Sequence, residues 1–234
     1  YIRTTMAKRR VPDMSRTSLG IRRVGAFVPN LAVEFGGRHI IGRDTRIDKG
    51  VSLGGSAREA IVIDFNLSVF LPDIYERIHD EVDDIRAGRR SMLPFFPRVQ
   101  HNPYLGYAIP LIFSLTKEAM PGVDIDPVIN RHGLHNDQKG DLDLFIGNEV
   151  GVCRHRALLA GVLIERLIDE SYMDGTVRVN RNEWLGGAHA WTRYTRPNNQ
   201  VVIIDAMQDY CGLINNSRTG LKWDYRNPLD SNLD

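Results

Sequence analysis

Apolar positions recur at helical spacing in three stretches of this chain before residue 170 and in strand-like runs after it. The clearest amphipathic helix is Pro72–Gly88. Ile74, Ile78, Val82 and Ile85 form one stripe, Pro72 suits the first turn, Asp73 and Glu76 complement the dipole, and Gly88 supplies a stop. A second apolar helix is expected over Tyr107–Met120, ended by Pro121–Gly122. The third stretch is apolar on nearly every side: of the twelve residues Ala157–Ile168 nine are apolar, and Gly161 is a tenth without polar character. Such a helix belongs in the middle of a core. Thr176–Trp184, Ala188–Thr195 and Gln200–Met207 then read as strands.

The remaining stretches are less patterned. Residues 1–23 form a basic tail, and Gly25–Arg46 suits short strands or loops. Gly50–Gly55 (VSLGGS) reads as a glycine loop without the spacing of a phosphate-binding loop. Glu59–Phe70 is a strand or the lead-in to a helix, Arg89–Pro103 an irregular connector, and Asp124–Gly147 polar and turn-rich. The last 24 residues are polar, with Trp223 and Tyr225 able to tack them onto the body. The pattern divides the chain into the tail, a mainly helical region over 24–140, and a core of helix and strands over 141–234.

Composition narrows the function. A length of 234 residues can bury one sizeable core, and a net charge of +1 argues against a whole-chain binder of nucleic acid or anionic membrane. No apolar run reaches membrane-spanning length. Two cysteines, Cys153 and Cys211, make neither a disulfide framework nor a zinc spacing, so a reducing compartment is expected and no metal or cofactor is. The pair His132 and His135 is read as structural or solvated.

Candidate chemistry centres on Cys153, at the start of the third helix. Unpaired N–H groups and the positive end of the helix dipole favour thiolate there, and Arg154, His155 and Arg156 add to that expectation. His189 and Asp205 lie on the next two strands, joined by the turn-rich TRPNNQ. A loop centred on Pro197 sets them opposite one another, with Cβ atoms about 4.5–5.5 Å apart. An aspartate in the apolar run VVIIDA needs a partner, and His189 supplies one. Cys153 is then the nucleophile, His189 the base and proton donor, and Asp205 the group that orients the imidazole.

GVCRHRALLAGVL, GAHAWTRY and VVIIDAMQDY together resemble the core of the transglutaminase-like superfamily of papain-like cysteine enzymes. The matching positions are Gly151 and Cys153, then His189, Ala190 and Trp191, then Asp205; the sequel Asp205-Ala206-Met207 departs from the Asp-Pro-Thr of many relatives. The likeness covers roughly residues 145–212 and is closest to the domain preceding the kinase in certain plant disease-resistance kinases. It implies an α+β, papain-like fold, a nucleophile helix packed on an antiparallel sheet. It also implies acyl transfer through a thioester, with a protein or peptide substrate and hydrolysis as the first expectation. Transamidation or deamidation of glutamine, and a non-catalytic binding module, are the alternatives, and an effector secreted into a host cell is one setting. The backbone N–H of Cys153 is the natural oxyanion donor. Asn148 is the first candidate for a second donor and Gln138 the reserve; Trp191 is expected to pack beside the hairpin, with a cleft wall as its alternative role. His155, two residues from the cysteine, is excluded as the base; Asp209 is the rival to Asp205, and Cys211 is expected to pack or lie loose.

Overall fold

The computed structural model describes residues 34–42, 45–54, 58–92, 102–184, 187–214 and 225, and shows an α+β chain. Its strands are β1 (Glu34–Phe35), β2 (Arg38–His39), β3 (Val51–Gly54), β4 (Glu59–Val62), β5 (Lys139–Asp141), β6 (Thr176–Trp184), β7 (Gly187–Thr195), β8 (Val201–Asp205) and β9 (Tyr210–Leu213). Its helices are α1 (Leu71–Arg86), α2 (Pro103–Ala119), α3 (Asp126–His132), α4 (Leu142–Ile146) and α5 (Cys153–Asp169). The basic stretch 1–23 and Trp223 lie outside the described residues.

α5 is the axis of the fold. It packs on α2 and α4 and against β6, β7 and β8 of an antiparallel sheet ordered β6-β7-β8-β9. Every residue from Arg154 to Glu165 is buried, the stretch from Ala157 to Ile164 because its sequence is apolar all round. Leu158, Leu159, Leu163, Ile164 and Leu167 are wholly inside, each contributing about 1.5–3 kcal/mol by leaving water. Gly161 admits the 45–50 loop, because a Cβ there would stand 2.6 Å from Cδ1 of Ile47. Glu165 holds the same loop by accepting from the N–H groups of Ile47 and Asp48, at 3.0 and 2.7 Å. Thr192 donates to the Ala157 carbonyl at 2.7 Å and pins β7 to the first half of the helix.

The upstream region is more mixed than a mainly helical reading allows, since β1–β5 form two small sheets beside the helices. VSLG is strand β3 rather than a loop: Val51 and Ser52 are buried, and the segment pairs with β4 over four residues. Asp124–Gly147 holds α3, β5 and α4. α3 carries Pro127 in its first turn and stops at Gly133, whose φ of 64° is left-handed. β5 is three residues long and pairs with β4 in parallel, a long-range partner that no local pattern reveals. α2 begins at Pro103 rather than Tyr107, because the Asn102 side chain caps the Leu105 N–H at 3.2 Å. β9, which the strand pattern does not indicate, pairs with β8 from Val202–Leu213 to Asp205–Tyr210.

Candidate active site

Cys153 is the first residue of α5, preceded by extended Val152. Gly151 is required just before it, since a Cβ would run into Sδ of Met120 and stand 3.1 Å from Cβ of His155. The Val152 N–H donates to Nδ1 of His155 at 3.3 Å, which satisfies one donor of the helix end. His155 is wholly buried against the Phe145 ring, centroids 3.9 Å apart, and burial first, then the Arg154 and Arg181 charges, holds it well below its ordinary pKa. It is therefore neutral and adds no positive charge beside the thiol, unlike the sequence expectation. Arg154 is buried too, its charge matched by an ion pair with buried Glu59 of β4.

Burial pushes the Cys153 thiol pKa up. The His189 imidazole lowers it by hydrogen bonding and by its charge, and the N–H groups of Ala190 and Arg154 act in the same direction. Together these outweigh burial, so the net displacement is downward. Cys211, which has burial alone, is pushed up to about 12. Ala190 is free to serve the sulfur because the β7–β8 ladder runs only from Thr195–Val201 to Thr192–Ile204.

Nε2 of His189 lies 2.5 Å from Oδ2 of Asp205, both side chains being buried. That leaves Nδ1 on the side of the thiol. Burial lowers the imidazole pKa, but the hydrogen bonds to Asp205 and Cys153 outweigh it and raise the group to about 9. The thiol is displaced downward and the imidazole upward, each favouring the charged form of the other. The two strands meet differently from a loop centred on Pro197. The turn spans Arg196–Gln200, with Arg196 N–H donating to Gln200 O at 2.9 Å and Asn199 left-handed at φ 63°. Continued one step past Thr192–Ile204, this register sets Asp205 opposite Trp191, so His189 reaches the carboxylate as a diagonal neighbour on the same face.

Asp205 accepts on both oxygens. Met207 N–H and Gln208 N–H donate to Oδ1 at 3.1 and 3.0 Å, and the Tyr225 hydroxyl donates to Oδ2 at 2.9 Å beside His189. Arg156, one turn along α5 from the cysteine, donates to Ala206 O at 3.1 Å and Pro121 O at 3.2 Å, joining the end of β8 to the loop before Val123. The sequence places Arg156 beside Cys153 as a cation and gives Tyr225 a tethering role. It reveals neither the Arg156 bonds to Ala206 O and Pro121 O nor the Tyr225 bond to Asp205, which lies 20 residues away.

The other candidates are placed elsewhere. The exposed Asn148 gives its amide nitrogen to Leu144 O at 2.7 Å and accepts from Arg131 at 3.3 Å, so this amide caps α4. Gln138 is exposed, its carbonyl bonded to Ala60 N–H at the edge of β5. Trp191 is buried rather than lining an open cleft wall; its ring stacks on His189 with centroids 6.1 Å apart. Asp209 is exposed and bonded to Lys117 at 2.6 Å. His132 and His135 are both exposed, and His135 pairs with Asn130 at 3.1 Å. Among the described residues no three His, Cys, Asp or Glu side chains gather as metal ligands, and no helix is long and apolar enough to cross a membrane. Comparison with protein-family models, curated proteins and solved structures finds no match to this chain.

Proposed function

We propose that this chain is a cysteine-dependent acyl-transfer enzyme with a transglutaminase-like, papain-like core, acting on a protein or peptide amide. One observation carries the reading: the Cys153 thiol pKa is lowered by an imidazole whose far nitrogen rests on Asp205. The Cys153 thiolate attacks the amide carbonyl, forming the C–S bond while the C=O electron pair moves onto oxygen. The helix-start N–H of Cys153 is placed to stabilise that oxyanion. Collapse breaks the C–N bond, and His189 gives its proton to the departing amine. Water then attacks the thioester, His189 takes its proton, and the acid leaves as the thiolate returns. Asp205 keeps Nε2 protonated throughout, so that Nδ1 is the nitrogen that works.

Water as acceptor makes the enzyme a protease or amidase, or a deamidase when the donor is glutamine. An amine acceptor makes it a transglutaminase. The same three residues serve each outcome, and hydrolysis of a protein substrate is the reading we favour. The test is to incubate wild type and Cys153→Ala with candidate proteins and peptides and to read cleavage, the mass gain of deamidation, and amine adducts by mass spectrometry. Any of the three products with wild type and none with Cys153→Ala supports acyl transfer. A cellular effect that survives Cys153→Ala undiminished replaces it with a binding module.

A further inference from the structure

Tyr225 stands outside the segment that carries the cysteine, histidine and aspartate, yet its hydroxyl ends on the same carboxylate oxygen as His189 Nε2. The residue is wholly buried. Its ring lies edge-on to Trp191 at 5.3 Å and stacks on Tyr210 at 5.5 Å with planes 14° apart. Trp191 in turn lies against His189. The tyrosine therefore touches the site twice, through oxygen at Asp205 and through an aromatic relay behind the imidazole.

We propose that Tyr225 is a positioning residue that sets the basicity of Asp205 and, through it, how tightly His189 holds its proton. The inference rests on the acyl-transfer reading of Cys153. Two donors on one oxygen share its electron density, so each weakens the other's bond. Oδ1 is already taken by the Met207 and Gln208 N–H groups, so the carboxylate keeps its place without the tyrosine. The loss of the hydroxyl is then felt as charge rather than as movement. With Tyr225 present, Asp205 accepts less from the imidazolium, which can release its proton to a leaving amine more readily. Burial and the adjacent carboxylate both push the phenol pKa upward, so the hydroxyl remains a donor at any working pH.

Tyr225→Phe tests this in the full reduced chain, because it keeps the ring and removes only the donor. The readouts are the NMR resonance of the His189 Nε2 proton and the pH at which the imidazolium is lost. Removing the hydroxyl should move the proton resonance further downfield and raise the imidazolium pKa by about half to one unit, the scale of one hydrogen bond. Tyr225→Leu should instead lower the unfolding midpoint, because it also removes the stack on Tyr210 and Trp191. A Tyr225→Phe protein whose resonance and pKa stay at wild-type values, or whose pKa falls, overturns the proposal and leaves Tyr225 a packing residue. Iodoacetamide labelling of the same samples keeps the two ideas apart. Failure to label Cys153 ahead of Cys211 sinks the nucleophile reading, whereas the NMR shift depends only on Tyr225, Asp205 and His189.

Discussion

His189 holds Asp205 on the diagonal: the imidazole Nε2 is 2.5 Å from Oδ2, although the strand register brings Trp191 directly across from the aspartate. The diagonal leaves Trp191 as a buried plate against the histidine ring and Asp205 as a carboxylate met by four donors. A carboxylate so surrounded is fixed in place.

Replacing Asp205 therefore separates shape from charge. Asp205→Ala leaves buried His189 and Tyr225 without their acceptor and should cost about 1–3 kcal/mol for each group stranded. Asp205→Asn keeps the volume but offers the imidazole a neutral amide, so alkylation of Cys153 at neutral pH should slow while the urea midpoint falls less than in Asp205→Ala. Urea unfolding and labelling rates on both variants check this. Equal stability loss in the two would contradict this, since the volume that Asp205→Asn restores would then count for nothing.

The pKa directions set a pH window for turnover. Chemistry needs thiolate and imidazolium together. Turnover should therefore fall as pH rises through about 9, where His189 loses its proton, and fall on the acid side as Cys153 regains one at its lowered pKa. His189→Ala removes the main source of that lowering, so the acid limb of Cys153 alkylation should move toward the ordinary thiol value of 9.0. An unmoved limb would assign the activation to the helix end rather than to the histidine.

Arg154 and Glu59 join α5 to β4 by an ion pair buried on both sides. Arg154→Met alone strands the carboxylate and should destabilise by about 3–5 kcal/mol, whereas Arg154→Met with Glu59→Leu should recover most of that loss. Chemical denaturation of the two singles and the double gives the coupling. Additive losses would show that the charges are not matched to each other.

Gly151 stands two residues before Cys153, where a Cβ would meet the side chains of Met120 and His155. Gly151→Ala should press on Met120 and His155, shift the first turn of α5, and cost about 1–3 kcal/mol. The double variant Gly151→Ala with Met120→Ala makes room and should restore part of the midpoint. A single variant as stable as wild type would show that the turn yields easily.

Local periodicity made the elements around the site readable. The stripe from Ile74 to Ile85, the all-round apolar Ala157–Ile168 and the three strand runs each appear as α1, α5 and β6–β8. His189 and Asp205 could be paired in advance because a hairpin fixes relative position over short range. Long-range partners were not readable. β5 is three residues whose neighbour β4 lies far upstream, and Glu59 meets Arg154 only once that sheet has formed. The turn at Arg196–Gln200 also shifted the register, since Asn199 takes the left-handed position that moves the centre of the loop beyond Pro197. Tyr225 belongs to the same class, its role existing only in three dimensions.

The most direct test of the central claim is the rate at which iodoacetamide modifies each cysteine at pH ~6, where only an activated thiol carries thiolate. Timed labelling of the full chain, followed by digestion and mass spectrometry, gives both rates in one sample. Cys153, lowered by His189, should label far faster than Cys211, which burial pushes up to about 12. Equal rates at the two cysteines, or a faster Cys211, would contradict an activated nucleophile at Cys153.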